Sequence, residues 1–539
     1  MSSTEWSQGY VTDIPYIEGF TRELSPTWLN YVAAISGCVP RDVSGEFNFM
    51  ELGCGLGMST AVLAGCFPRA QFYGVDFNPA HIDLARRNAS QWGINNAQFI
   101  ERSFEDLMDL DLPDFDFITL HGVYVWIDPE SQKAIQRFIK TKLKPGGIVY
   151  ISYNCMPGWT TDAPIRKWLF EFAGFIPGDS LARVSQAINT LQKANELNAG
   201  YFKVVSNSIK PISEIIKQKP NYIAHEYMNE HWELPYSVDV ADQMESAKLN
   251  FAGSATIIEN MFDLTMPREA VQYIESLPSG RLRQLASDFF TFRRFRRDVF
   301  VRGHGRLSRE AMLKQIRAQV VGAVKNISSF TDQIKLPQGE ISVKDPALPI
   351  LREVLEKGAQ TIGAIEAQVS QKLQKRSQTE RILSLMIAAD RAGPFSQTFE
   401  APKLPDRITK ARWRHPVNEV IAQSSLTASK SQYLINPILG NAWIIEPVCA
   451  AVVSLLDGKE KNIAELVQLT GQKLRAHGIV VQAPSPAKVE GKAVAEGGGA
   501  DVGGSSSQED NIKILTDLVN QALKNVIPLM DRIGLLELS

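Results

Sequence analysis

The chain has 539 residues, 44% of them hydrophobic and 22% charged, with 57 Lys and Arg against 59 Asp and Glu. That length exceeds one ordinary domain, and a formal net charge of −2 supplies no global field to draw the molecule onto nucleic acid or an anionic membrane. Five scattered cysteines (Cys38, Cys54, Cys66, Cys155 and Cys449) without a C-x-x-C pair argue against a disulfide framework or a cysteine zinc site and suit a reducing, cytoplasmic setting.

The first residues, Met1 to Trp6, carry neither a basic nor an apolar signal region. Residues 1–45 are expected to cap a ligand cleft. They hold an aromatic-rich entry with Tyr10 and Tyr16, then a helix from about Thr27 to Gly37 with Leu29, Val32, Ala33 and Ile35 on one face. The two tyrosines either close over a ligand or simply pack.

Residues 46–159 alternate strand and helix, the signature of a parallel sheet covered on both faces. The first strand, ending at Met50-Glu51-Leu52, breaks into Gly53-Cys54-Gly55-Leu56-Gly57. Glycines there let the backbone approach a nucleotide-like ligand. A dinucleotide fingerprint would place a third glycine where Met58 stands. Glu51, two residues before the first glycine, suits a cationic group better than a pyrophosphate. S-adenosylmethionine (AdoMet), with its ammonium and sulfonium, is therefore the expected cofactor.

A second strand, Gln71 to Asp76, ends in a carboxylate able to accept both ribose hydroxyls. Phe77-Asn78-Pro79 turns into a helix over 81–91, with Pro79 in its permitted first turn. After a third strand at 97–101, Ser103 and Phe104 are placed to read the adenine. The fourth strand, 114–120, runs into His121-Gly122-Val123-Tyr124-Val125-Trp126. The fifth, 148–152, follows the turn Leu143-Lys144-Pro145-Gly146-Gly147 and leaves through Tyr153 and Asn154. Ligands of open α/β sheets bind beyond the carboxyl ends of the strands, so these residues share one rim. His121, Tyr124, Trp126, Tyr153 and Asn154 are the candidates for the chemistry: aromatic faces and oxygen acceptors can steady a developing ammonium. His121 is either a base or a structural donor to the cofactor.

The succession E-L-G-C-G-L-G, G-V-D, F-D-F-I and L-K-P-G-G resembles class I AdoMet-dependent methyltransferases. The strings H-G-V-Y-V-W at 121–126 and S-Y-N-C-M-P-G-W at 152–159 are similar to bacterial methyltransferases that carry a methyltransferase regulatory domain, a group that includes rickettsial protein-lysine methyltransferases acting on outer-membrane proteins. The general motifs cover about residues 45–155, and the narrower likeness continues more weakly through 222–257 and 281–302. The resemblance implies methyl transfer to lysine side chains of a protein, self-association as a homodimer, and a regulatory region at 258–340. A small-molecule or RNA acceptor, or a non-catalytic AdoMet sensor, would use the same sheet.

Residues 160–220 read as a helical insertion (165–172, 181–197) for dimerisation or substrate contact, and 221–257 as a return to the core with a late strand at 249–255. His225, Glu226 and His231 lack the i, i+4 spacing of a metal-binding helix face, so no metal is expected. The Phe- and Arg-rich run 289–306 is expected to be an amphipathic helix with buried phenylalanines and solvated or paired arginines, rather than a nucleic-acid patch. Residues 341–482 suggest a winged-helix-like domain, with helices at 348–357, 359–371 and 377–391 before a strand near 394–400. The segment Trp443 to Leu456, interrupted by Glu446 and Pro447, falls short of the roughly 20 apolar residues of a membrane span. Gly, Ser, Pro and Ala dominate 483–510, a flexible linker. A terminal helix at 511–539 follows, and truncation after about residue 482 is expected to leave cofactor binding intact. The fold class is thus α/β, a Rossmann-like sheet with a helical insertion and helical or winged-helix-like C-terminal domains.

Overall fold

In a computed structural model, residues 19–205, 220–303, 305, 307–327, 331–336, 339–375, 377–481 and 508–539 are described. Tyr10, Tyr16 and most of the 483–510 stretch lie outside these residues. The helix expected after that stretch begins at Gln508.

Seven strands form the central sheet: β1 (Asn48–Leu52), β2 (Gln71–Asp76), β3 (Ala97–Glu101), β4 (Phe115–Leu120), β5 (Leu143–Asn154), β6 (Leu249–Ser254) and β7 (Phe295–Arg302). Their order is β3-β2-β1-β4-β5-β7-β6; β1 to β5 run parallel, and β7 pairs antiparallel with both β5 and β6. All of β4 is buried, as a strand covered on both faces must be. β5 is longer than the sequence reading, because Leu143 to Gly147, expected as a turn, continues the ladder through Leu143 opposite Phe115.

Four helices flank the first half: α1 (Pro26–Ile35), α2 (Met58–Cys66), α3 (Pro79–Gln91) and α4 (Pro129–Lys142). Three of them start on side-chain caps. Ser25 accepts from Thr27 N, Asn78 from Ala80 N, and Asp128 from Glu130 N and Ser131 N, with Pro26, Pro79 and Pro129 in the first turns. The insertion is helical as expected: α5 (Ala163–Phe175), α6 (Ser180–Glu196) and α7 (Pro220–Tyr227) pack around Trp159, Leu169, Val184 and Ile188. Next come α8 (Ser237–Ser246), α9 (Arg268–Ser276) and α10 (Gly280–Thr291).

The arginine run departs from the expected helix. α10 stops at Thr291, and Phe295–Arg302 is β7, an inner strand of the sheet. Its alternation sends Arg296 and Asp298 to one face and Arg297 to the other. Arg296 bonds Asp298 and pairs with Asp288 of α10, Arg293 pairs with Glu259 and Asp288, and Arg294 pairs with Asp162. Arg293, Arg294 and Arg296 are therefore consumed by carboxylates, the outcome favoured over a nucleic-acid patch, but on a strand and the turn before it.

The C-terminal half carries a four-stranded sheet, in the order β12-β8-β11-β13, from β8 (Val320–Ala323), β11 (Gly358–Thr361), β12 (Ala392–Phe395) and β13 (Phe399–Glu400); β9 (Gln333–Leu336) and β10 (Gly339–Ser342) pair as a hairpin. Helices Ala347–Glu356, Ile362–Leu373 and Thr379–Ala388 match the three expected there. Beyond them, β15 (Gln432–Asn436) and β16 (Asn441–Ile445) form a hairpin, and the last strand, β17 (Leu536–Leu538), pairs with β14 (Ala411–Trp413).

This half packs directly on α1 and α2. Ser25 Oγ donates to Gly440 O at 2.6 Å, Tyr31 Oη lies 2.7 Å from Ser384 Oγ, and a Cβ on Gly65 would sit 2.5 Å from Ile435. One apolar cluster runs from Phe49 and Phe72 through α1 and α2 to Leu383, Ile435, Val519 and Leu536.

Candidate active site

A cavity of about 820 Å³, counted out to open solvent, lies beyond the carboxyl ends of β1, β2, β3 and β4. Its wall consists of Gly53, Gly55, Asp76, Phe77, His81, Arg102, Ser103, Phe104, His121, Gly122, Val123, Trp126, Ile127 and Asp128. The sequence-predicted residues Gly53, Gly55, Asp76, Phe77, Ser103, Phe104, His121 and Trp126 thus converge on one space.

The glycine loop forms because β1 hands over to α2 through positive-φ residues. Gly53 N and Cys54 N both donate to Val75 O, at 2.8 and 2.9 Å, which ties the loop to the end of β2. At Gly55 (φ +52) a Cβ would meet no neighbour within 4 Å and would project into open space, so the bare backbone matters for the cavity. Gly57 (φ +70) serves packing instead: a Cβ there would stand 2.5 Å from Ala85 of α3.

Asp76 is buried, 7% exposed. Its Oδ2 accepts from Gly55 N at 2.9 Å and its Oδ1 from Asn78 N at 2.9 Å, so one carboxylate pins both loops of the cleft. His81 Nδ1 stands 3.3 Å from Oδ1. Each carboxylate oxygen has two acceptor sites, which leaves capacity for a diol. Asn78 is buried as the cap of α3 and does not line the cavity.

Glu51 departs from the reading of a residue in contact with ligand. It is 5% exposed, absent from the cavity wall, and receives the hydroxyl of Thr60 from α2. Burial pushes its carboxyl up to about 7, and the nearby Asp76 adds to the rise. A half-protonated acid directly behind the loop is a place where an approaching cation would gain an anion.

His121 lines the cavity and is held from below: its Nδ1 lies 2.9 Å from Tyr150 Oη and 3.0 Å from Ser152 Oγ, which itself accepts from Gly122 N at 2.8 Å. Burial, and then the cation of Arg297, depress its pKa to about 4, so the imidazole is neutral near pH 7.

Three candidates for the chemistry do not reach the cavity. Tyr124 is 1% exposed, donating to Gln243 Oε1 at 2.8 Å and accepting from Gln136 Nε2 at 2.9 Å. Tyr153, fully buried, donates to Asp298 Oδ2 at 2.6 Å. Asn154 Nδ2 donates to Glu226 Oε1 at 2.7 Å. They brace the rim instead of lining it. Sequence reasoning omitted His81, Arg102, Gly122, Val123, Ile127 and Asp128 from the site. Arg102, Gly122, Val123 and Ile127 lie next to chosen residues, but His81 and Asp128 reach the wall by a path that motif spacing does not specify.

The wall fits AdoMet by its own donors and acceptors. It has a buried carboxylate at the end of β2 with spare acceptor capacity, an open glycine backbone, and aromatic rings at Phe77, Phe104 and Trp126.

Family models match the chain in two places: a methyltransferase domain over residues 44–230 and a methyltransferase regulatory domain over 219–302. An uncharacterized protein of Synechocystis is 35% identical over 443 residues, which cover 81% of this chain and 85% of that protein. An uncharacterized protein of Rickettsia prowazekii is 27% identical over 230 residues, 40% of this chain and 86% of its own length. Among solved structures, PKMT2 from Rickettsia typhi in complex with AdoHcy superposes with a TM-score of 0.68 at 20% identity, covering 97% of this chain and 100% of that one, a likeness of fold. The regulatory match includes β6 and β7, so this region completes the sheet that bears the cavity. The chain belongs to the class I AdoMet-dependent methyltransferases that carry a methyltransferase regulatory domain.

Proposed function

We propose that this AdoMet-dependent methyltransferase transfers its methyl group to lysine side chains of a protein. The observation that carries the cofactor end is the convergence of the open Gly55 backbone, the buried Asp76 carboxylate and the neutral His121 on one cavity. The lysine acceptor is supported by the sequence resemblance to rickettsial protein-lysine methyltransferases and by the fold shared with Rickettsia typhi PKMT2 along 97% of this chain.

In this reading Asp76 holds the ribose hydroxyls, Phe77, Ser103 and Phe104 hold the adenine, and the Gly53–Gly55 backbone carries the amino acid end, with the Glu51 carboxyl behind it. When bound, AdoMet supplies an electrophilic methyl on a good leaving group, so the protein's work is positioning and exclusion of water. The acceptor amine must arrive neutral, against a free pKa of about 10.4, and desolvation beside a sulfonium lowers that value. A neutral His121 adds no positive charge there and can take a hydrogen bond. Trp126 offers an aromatic face to the developing ammonium. Tyr124, Tyr153 and Asn154 hold the strand ends from behind.

The test is incubation with radiolabelled AdoMet and fractionated bacterial extract, followed by acid hydrolysis of the labelled fraction. Label recovered as methyl-lysine is the expected result. Label in RNA or in small molecules contradicts the acceptor assignment, and label in no fraction points to a non-catalytic AdoMet sensor.

A further inference from the structure

The adenine of AdoMet carries an exocyclic amine, a hydrogen-bond donor that needs an acceptor wherever the base is held. Phe77 and Phe104 bring apolar rings to the cavity wall, and Ser103 commits its hydroxyl to Asp106: Oγ donates to Oδ2 at 3.0 Å and accepts from Asp106 N at 3.3 Å. Two carboxylates belong to the wall, Asp76 and Asp128. Asp76 stands at the end of β2, the ribose position. Asp128 stands on the loop between β4 and α4.

Asp128 caps α4, and capping occupies only one of its oxygens. Oδ1 accepts from Glu130 N at 2.8 Å and from Ser131 N at 3.0 Å. Oδ2 lies 2.7 Å from Ser131 Oγ, and the same hydroxyl lies 2.5 Å from Glu105 Oε1. Glu105 begins the single turn Glu105–Asp109 directly after Phe104, so this link holds Asp128 on the Phe104 side of the cavity. Ser131 has one proton to give, and Glu105 Oε2 is buried without a hydrogen-bond partner. Three oxygens of two carboxylates thus draw on one hydroxyl. Burial works against the charge of Asp128, but hydrogen bonds from Ser131 and Glu130 hold its carboxyl below the ordinary range, so it is ionised near pH 7. An N–H brought into the cavity beside Phe104 would supply the donor that this corner lacks.

We propose that Asp128 is a specificity-determining residue whose Oδ2 accepts the exocyclic amine of the cofactor's adenine. The inference rests on the AdoMet reading of the same cavity and deepens it, by giving the base a charged acceptor distinct from the one that holds the sugar. A purine with an oxygen in place of that amine would set a carbonyl against a carboxylate, with no proton between them, and is selected against.

Two product analogues test this without knowledge of the acceptor: S-adenosylhomocysteine, and S-inosylhomocysteine, in which an oxygen replaces the exocyclic amine. Calorimetry measures both on wild type, Asp128→Asn and Asp128→Ser. Asn and Ser cap helices about as well as Asp, so both variants should melt close to wild type and keep α4 in place. Wild type should prefer the adenosyl compound by at least about tenfold, the worth of one charge-assisted hydrogen bond. Asp128→Asn, whose amide can donate to the purine oxygen, should narrow that preference to about twofold or less, chiefly by binding the inosyl compound more tightly. Asp128→Ser should narrow it by weakening the adenosyl compound. Equal change in both affinities, or a preference that neither variant alters, would leave Asp128 as a helix cap alone and overturn the proposal, and so would a wild type indifferent to the base. Binding of neither compound to wild type would instead remove the cofactor reading itself, and the base contact with it.

Discussion

At Asp76 one carboxylate organises two loops and faces the cavity. Because Gly55 N and Asn78 N both depend on it, Asp76→Ala would orphan two donors, and Asp76→Asn is the cleaner probe. Calorimetry should show AdoMet binding to Asp76→Asn weakened by roughly tenfold or more, the loss of a charge-assisted hydrogen bond to the ribose. Unchanged affinity would refute the ribose assignment. Glu51 gives a prediction in pH. Its folded-state pKa is raised to about 7, so near pH 7 about half of the molecules hold that proton. An ammonium brought near it favours the charged form, so AdoMet binding at pH 7 should release up to half a proton, less at pH 9, where the carboxyl is already ionised. The binding enthalpy should therefore depend on the ionisation heat of the buffer at pH 7, and Glu51→Gln should abolish that dependence. Much of the rim was legible in single residues, because a glycine loop and a strand-terminal aspartate act through local backbone. Tyr124, Tyr153 and Asn154 were not. Their partners Gln243, Asp298 and Glu226 are 72 to 145 positions away in sequence, and no local pattern shows a hydroxyl already spent.

Among elements, β1 to β4, α1 and α3 were legible because hydrophobic period, a strand-ending acid and the Pro79 first turn agree there. β7 was not. Interleaved phenylalanines and arginines suit an amphipathic helix as well as a strand until Asp288 is known to meet Arg296, and burying Arg296 is tolerable only with the carboxylates of Asp288 and Asp298 beside it. The chain's end packs into the same core. β17 supplies the edge partner of β14, Gly534 packs against Ile438, and Val519, Ile527 and Leu536 belong to the cluster that includes α2. Truncation after residue 482 should therefore lower the thermal unfolding temperature by more than about 5 °C or yield insoluble protein. A fully folded, AdoMet-binding truncation with unchanged melting would show that this docking contributes nothing.

For the whole molecule, composition and a near-neutral charge indicated the broad class, and the alternation of strands and helices gave the sheet. What they could not convey is that the C-terminal half leans on α1 and α2, so that Asp390 reaches Arg22 beside the glycine loop. Contacts between segments 353 and 415 residues apart leave no periodicity to read. Among the described residues no helix is long and apolar enough to cross a membrane. The central claim is that one cavity, beyond the ends of β1 to β4, takes AdoMet with its sugar on Asp76 and its amino acid end over Gly53 and Gly55. A crystal structure of the protein grown with S-adenosylhomocysteine tests it most directly. The account predicts the ribose hydroxyls within hydrogen-bond distance of the Asp76 carboxylate and the base beside Phe104. Clear density with that cavity empty, or with the nucleoside bound elsewhere, would contradict it.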